Sequence, residues 1–225
     1  MTYRNFSISK SKGKLYLKEK QPTKGYEEVT YGEGEKTYHQ YHNSIEGTPK
    51  EFGVKEVLYK GRTLRFLELS LEDGDTINKI SVNLKNKGGY TDEAKALFSA
   101  LRGLELNERV SVSPVKTVSE GKNGKTYENL NIYINYLNRQ DENGRNPSTG
   151  YIHYKDILKP IKKEVAGDTV WDFTPQTEFY YGVFQEIERK FDGVSTSTAV
   201  KEEKQKVKKK EPTTPVKEVS DDLPF

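Results

Sequence analysis

Arg62-Thr63-Leu64-Arg65-Phe66-Leu67-Glu68-Leu69-Ser70-Leu71 carries the clearest strand signal in this chain. Leu67, Leu69 and Leu71 fall on one face of an extended backbone and Phe66, Glu68 and Ser70 on the other, the period-two pattern of a strand with one side buried. Immediately before it, Lys60-Gly61 reads as a tight turn and Val54 to Tyr59 as an earlier strand. Immediately after it, Asp73-Gly74 supplies a hairpin turn. Thr76 to Leu84 then sets Ile80, Val82 and Leu84 against Lys79, Ser81 and Asn83, until Lys87-Gly88-Gly89 interrupts the pattern. Three strands thus follow one another as a meander.

A helix comes next. Thr91 suits an N-cap, Asp92 and Glu93 sit where the helix dipole favours carboxylates, and Ala94, Leu97, Phe98 and Leu101 repeat at helical spacing before Gly103. Two further strands follow. Arg109 to Val118 alternates Val110 and Val112 against Ser111 and Ser113; Thr126 to Leu137 alternates Leu130, Ile132, Ile134 and Tyr136 against Asn129, Asn131, Tyr133 and Asn135. Between them, Gly121 to Lys125 is a basic hairpin loop. Three strands, a helix and two strands form the element order of the OB-fold, a five-stranded Greek-key barrel. The fold class expected is mainly β: an OB-fold barrel over 51–138, a β-rich N-terminal extension over 1–50, a C-terminal extension with a helix over 139–192, and a disordered tail over 193–225. In the first extension the strand candidates are Tyr3 to Ile8, Lys14 to Leu17, Tyr26 to Tyr31 and Lys36 to Tyr41. In the second, Ile152 to Leu158 is a strand or short helix, and Thr177 to Phe191 is a helix.

Composition sets the limits. Of 225 residues, 32% are apolar and 32% charged, so a packed core does not occupy the whole length. There are 15 Tyr and 9 Phe against one Trp and one Met, a usage that suits half-buried strands and flat stacking surfaces alike. The net charge of +3 neither supports nor excludes a nucleic-acid partner, because a groove needs local charge only. Absence of cysteine removes disulfides, thiolate zinc sites and a cysteine nucleophile. No apolar run reaches the length of a membrane span and the N-terminus has no signal-peptide core, so a cytoplasmic location is expected.

Beyond Gly193 the character changes: Ser195 to Thr198, lysine-rich Lys201 to Lys210, then Pro212-Thr213-Thr214-Pro215, with no aromatic residue between Phe191 and Phe225. Such a stretch buries too little apolar area to offset its ordering entropy and reads as a tether. It ends Ser220-Asp221-Asp222-Leu223-Pro224-Phe225. This end resembles the acidic tip of bacterial and phage single-stranded-DNA-binding proteins, in which a barrel and a disordered linker precede several aspartates, an aliphatic residue, proline and a terminal phenylalanine. The likeness covers about six residues, and the remainder of the chain looks more like a phage-type member than the bacterial housekeeping protein. It implies sequence-tolerant binding of single strands in replication, recombination and repair, and partners such as a polymerase, helicase or primase. Phe225 would offer a ring and a carboxylate to one basic pocket, Pro224 limits the backbone freedom lost on docking, Leu223 adds apolar area, and Asp221 and Asp222 steer the tip. The tip is less acidic than is usual for the family, which argues against strong self-inhibition.

Single strands are held by cations along the phosphates and rings under the bases. The candidates are Tyr59, Arg62, Arg65 and Phe66 around the second strand, Lys79, Lys85 and Lys87 on and after the third, and Arg109, Lys122, Lys125, Tyr127 and Tyr133 from the last two. Phe66 and Tyr133 lead, since both lie opposite the presumed core faces. Tyr38-His39-Gln40-Tyr41-His42 is a second aromatic cluster; its histidines read as surface residues rather than metal ligands, because H-x-x-H lacks a third ligand. Glu72-Asp73-Gly74-Asp75 reads as a turn rather than a nuclease metal site. No nucleophile set, phosphate loop or dinucleotide fingerprint stands out, so neither enzymatic activity nor a cofactor is expected. The alternatives are an OB-fold adaptor that binds protein and imitates a host tail, and a metal-dependent nuclease.

Overall fold

A computed structural model describes residues 1–207 except 32–33, 60, 87–88, 121–123, 153 and 166–167, with side chains described to residue 193 (86 and 154 by backbone alone). The expected tip, Asp221 to Phe225, and the expected contacts Lys87 and Lys122 lie outside the described residues.

The meander is present. β5 (Ile45–Tyr59) pairs antiparallel with β6 (Arg62–Asp73), and β6 with β7 (Thr76–Asn83). Gly61 and Gly74 take positive φ at the two turns, where a side chain would be strained. β5 starts earlier than its alternation indicates and carries a bulge between Pro49 and Glu51, a residue pair at which the ladder loses its register. The helix α1 (Asp92–Leu101) begins where expected: the Thr91 side chain accepts from the Ala94 N–H. β10 (Val110–Glu120) and β11 (Thr126–Tyr136) form the last hairpin, and β10 also pairs with Ile45–Gly47 of β5.

All four N-terminal candidates are strands: β1 (Thr2–Ser9), β2 (Lys14–Glu19), β3 (Glu27–Tyr31) and β4 (Glu35–His42). They are not a separate layer. β1 runs parallel to β7 and continues the same sheet, giving nine strands in the order β11-β10-β5-β6-β7-β1-β2-β4-β3. This corrects the expected five-stranded barrel. The five strands and the helix are there, but closure would need β7 to pair with β11, and β1 occupies that edge of β7 instead. The result is an open mixed sheet. It still curls, because Gly13 after β1 lies against β10, so close that a Cβ there would come within 2.4 Å of the Lys116 nitrogen.

A minor hairpin, β8 (Lys85–Asn86) with β9 (Gly89–Tyr90), follows β7. Ile152 to Leu158 contains a single 3-10 turn, Tyr154–Asp156. A second hairpin went unread in the sequence: β12 (Ile161–Val165) and β13 (Asp168–Asp172). The C-terminal helix α2 spans Thr174–Val207 and so runs past the expected boundary near Gly193, where the sequence reads as disordered. Residues Met1–Phe191 form one compact unit and Asp192–Phe225 another.

The core of the first unit lies on one side of the sheet. Leu67, Leu69, Leu71, Ile80, Val110, Val112 and Ile134 point to it from the strands, meeting Leu97, Phe98 and Leu101 of α1 and Tyr180, Ile187 and Phe191 of α2. Each of these leucines and isoleucines contributes roughly 1.5–3 kcal/mol on burial. Among the described residues no helix is long and apolar enough to cross a membrane.

Candidate nucleic-acid interface

Strand parity sorts the candidates. With Leu67, Leu69 and Leu71 on the core side, the ladder puts Phe66 opposite Lys55 and Asn83, and Tyr59 opposite Arg62, on the other side. On β7 the same face carries Lys79, next to Asn5 of β1. On β11 it carries Tyr127 and Tyr133, which face Ser119 and Ser113. Six candidates therefore share the outer face: Tyr59, Arg62, Phe66, Lys79, Tyr127 and Tyr133. Tyr3, adjacent to Ile77, joins them, and the Lys79 ammonium sits 5.6 Å from its ring centre. Neither Tyr3 nor Lys55 was nominated from sequence, although the parity of β1 and β5 would have found both once β1 was known to neighbour β7.

Two antiparallel ribbons extend from this sheet. β5 and β10 pair only over Ile45–Gly47 and Val110–Val112, and being antiparallel they diverge from that junction in opposite senses. Beyond it, the ribbon β5–β6 is exposed on both sides from Val54 to Tyr59, and the ribbon β10–β11 at its far end over Val118–Glu120 and Gly124–Tyr127. Tyr59 remains 56% exposed at one tip and Tyr127 49% at the other. Arg62 lies beside the first and Lys125 beside the second.

Other candidates are diverted. Arg109 donates to Asp73 at 2.8 Å and reaches Glu46 at 3.3 Å, clamping the entry of β10 to the ends of β6 and β5. Its charge is answered twice within the protein. Arg65 pairs with Glu56 at 2.8 Å, on the opposite side of the ribbon from Arg62. Lys85 lies 4.9 Å over the ring of Tyr90, away from the main sheet. Glu68 interrupts the outer face with negative charge, but it accepts from Ser81 at 2.8 Å and has Lys55 at 3.8 Å. Phe66 is half-buried and Tyr133 is 40% exposed.

The cluster Tyr38 to His42 lies in strand β4, where His39 is buried and not on the surface while His42 is part-exposed. His39 is only 2% exposed. Its ring stacks on Tyr16 with centres 4.3 Å apart, Tyr31 and Thr37 reach Nε2 at 3.3 and 3.0 Å, and Tyr41 reaches Nδ1 at 3.3 Å. Lys12 lies 3.7 Å from the Tyr41 ring centre and Lys18 5.3 Å from that of Tyr31. The correction has a plain cause: the rings that bury His39 come from β2 and β3, which local sequence does not bring to β4. His42 packs edge-on against Phe6. Among the described residues there is no group of three or more His, Cys, Asp or Glu that could hold a metal ion.

Desolvation, then the charges of Lys18 and Lys12, lower the His39 pKa, with Glu27 opposing; desolvation and then Arg4 lower that of His42. A base whose folded pKa is depressed binds fewer protons folded than unfolded. Its contribution is complete above the unfolded value of about 6.5 and is lost as pH falls through the folded value. Urea midpoints should therefore drop between pH 7 and pH 5, and His39→Gln should flatten that drop without removing the His42 share. An unchanged slope in the variant would show that His39 titrates as it does unfolded.

No family model, curated protein or solved structure matches this chain.

Proposed function

We propose that this protein binds single-stranded DNA without regard to sequence, as a non-catalytic module that protects the strand and recruits replication and recombination proteins. In this reading β5, β6, β7, α1, β10 and β11 are an OB-fold derivative whose closing edge has been taken by β1, and the chain is a phage-type member of the single-stranded-DNA-binding group. One observation carries it. Tyr59, Phe66, Tyr127 and Tyr133 share a sheet face with Arg62, Lys55 and Lys79, by register and not merely by sequence proximity. Rings interleaved with cations on one face are what a strand of bases and phosphates requires, and rings with no sequence-reading partners accept any base. A duplex hides its base faces and cannot use them.

Fluorescence anisotropy with a labelled oligo(dT) tests this. Affinity should fall steeply as salt rises, because bound cations release counterions from the phosphates, and a duplex of equal length should bind much more weakly. No binding at low salt rejects the proposal. Recruitment through Asp221 to Phe225 belongs to the same proposal and rests on sequence alone. Deleting those five residues should leave DNA affinity unchanged or slightly higher while abolishing capture of a partner polymerase, helicase or primase. A clear loss of DNA affinity would contradict that division of labour.

A further inference from the structure

β11 is the last strand of the sheet, and its outer edge is only partly covered. The direction of its backbone groups follows from two bonds. The Thr149 N–H donates to the Ile134 carbonyl at 2.8 Å and the Tyr136 N–H to the Pro147 carbonyl at 2.9 Å, so Ile134 and Tyr136 aim their polar groups away from β10. In an antiparallel ladder that orientation alternates, so Ile132, Leu130 and Glu128 aim theirs the same way. Pro114, paired with Ile132, fits the assignment, since its missing N–H falls on the side that does not bond β11. Among the described residues, no backbone group meets these three outward positions.

They line a cleft of about 850 Å³ between β11, α1, residues 150–152, Ile157 and the first turns of α2. Its floor and walls are divided by chemistry. Leu130, Ile132, Ala96, Ile152 and Ile157 present apolar surface, while Asn129 and Asn131 present amides. Asp92 is paired with Lys10, and Glu128 with Lys116 at 2.7 Å. Lys95, also in the lining, has no ion pair among the described residues.

We infer that this cleft takes an extended peptide of a partner protein, which adds as a strand to β11 at Glu128, Leu130 and Ile132. The three outward positions repeat every two residues over about 14 Å and offer N–H donors and carbonyl acceptors in turn, which another strand answers in kind, whereas a phosphodiester backbone has no N–H to give the carbonyls. Residues Pro147 to Thr149 already pair in this manner on the neighbouring stretch, antiparallel through Asn135 and Ser148, and leave the edge at Gly150. An incoming peptide would continue their line. The divided lining calls for alternating apolar and polar side chains, and the unanswered Lys95 favours an acidic peptide. The inference does not rest on the DNA reading, which uses the outer face of the sheet, although Tyr133 borders both that face and the cleft.

Backbone amide exchange on the full chain, followed by NMR, tests it. Without ligand, the amides of Glu128, Leu130 and Ile132 should exchange at least about tenfold faster than those of Asn129, Asn131 and Tyr133, which face β10. An acetylated, amidated hexapeptide alternating valine and glutamate, at millimolar concentration, should slow the first three selectively. The same peptide N-methylated at alternate amides on its pairing edge should bind at least tenfold more weakly, and Lys95→Glu should weaken the parent peptide relative to one alternating valine and lysine. Absence of protection at saturating peptide overturns the inference, as does equal binding of the methylated form. Protection by oligo(dT) in place of the peptide would assign the cleft to nucleic acid and overturn it equally.

Discussion

Replacing Tyr59 and Tyr127 together by alanine should lower the affinity for a single-stranded oligonucleotide by at least about 30-fold and leave the melting temperature nearly unchanged. The two rings stand at the tips of separate ribbons, 56% and 49% exposed, so neither supports the core. Stacking is worth roughly 1–3 kcal/mol per base, or about 5- to 150-fold for each ring, and sites that far apart contribute nearly additively. Exposed substitutions away from caps and cores usually shift stability by less than about 0.5 kcal/mol. The salt dependence should persist in the double variant, because the cations remain. Wild-type affinity in that variant would remove the ribbons from the interface and leave Phe66 and Tyr133 as the rings to examine. A large fall in melting temperature would instead show that the ribbons are braced by these tyrosines.

The local half of the fold was legible because its signals are short-range. Alternation of Leu67, Leu69 and Leu71, the cap at Thr91 and the stop at Gly103 each depend on neighbours within a few residues. Gly103 proves to matter for a further reason: a Cβ there would lie 1.8 Å from the Thr149 carbonyl oxygen, so the segment returning to β11 passes directly over it. What the sequence concealed is non-local. That Phe6 sits beside Ile80 follows from a parallel pairing across more than 70 positions, and no local pattern chooses between β1 and β11 as the neighbour of β7. The hairpin β12–β13 was missed because Ile161, Val165, Val170 and Trp171 are all exposed, so it lacks the one-sided alternation that marks a strand. The site divided along the same line. Parity placed Phe66 and Tyr133 correctly on the outer face, since each strand's own pattern defines its two sides. Arg109 looked available because Asp73 and Glu46, which hold it, are distant in sequence.

The side chain on which the helix α2 and the hairpin after β7 converge is Phe98. It is fully buried on α1, with Tyr90 edge-on at 5.3 Å, Tyr180 at 6.2 Å and Phe184 at 6.0 Å between ring centres. Phe184 in turn meets Phe52 of β5 at 5.8 Å. One ring thus links α1 to the hairpin after β7, to α2 and, through one further contact, to the sheet. Phe98→Ala removes its transfer energy and leaves a cavity whose walls belong to three separate elements, which limits collapse around it. The expected loss is about 3–5 kcal/mol, a fall in melting temperature of roughly 6–20 °C for a chain of this size. Phe98→Leu should recover more than half of that, since it refills most of the volume. The comparison also bears on α2. If its stretch Thr174 to Phe191 is an integral wall of the core, Tyr180→Ala and Phe98→Ala should be strongly non-additive, because the two rings touch. Additive losses, or a loss below about 1 kcal/mol for Phe98→Ala, would mean that α2 only rests against the unit that the strands and α1 complete on their own.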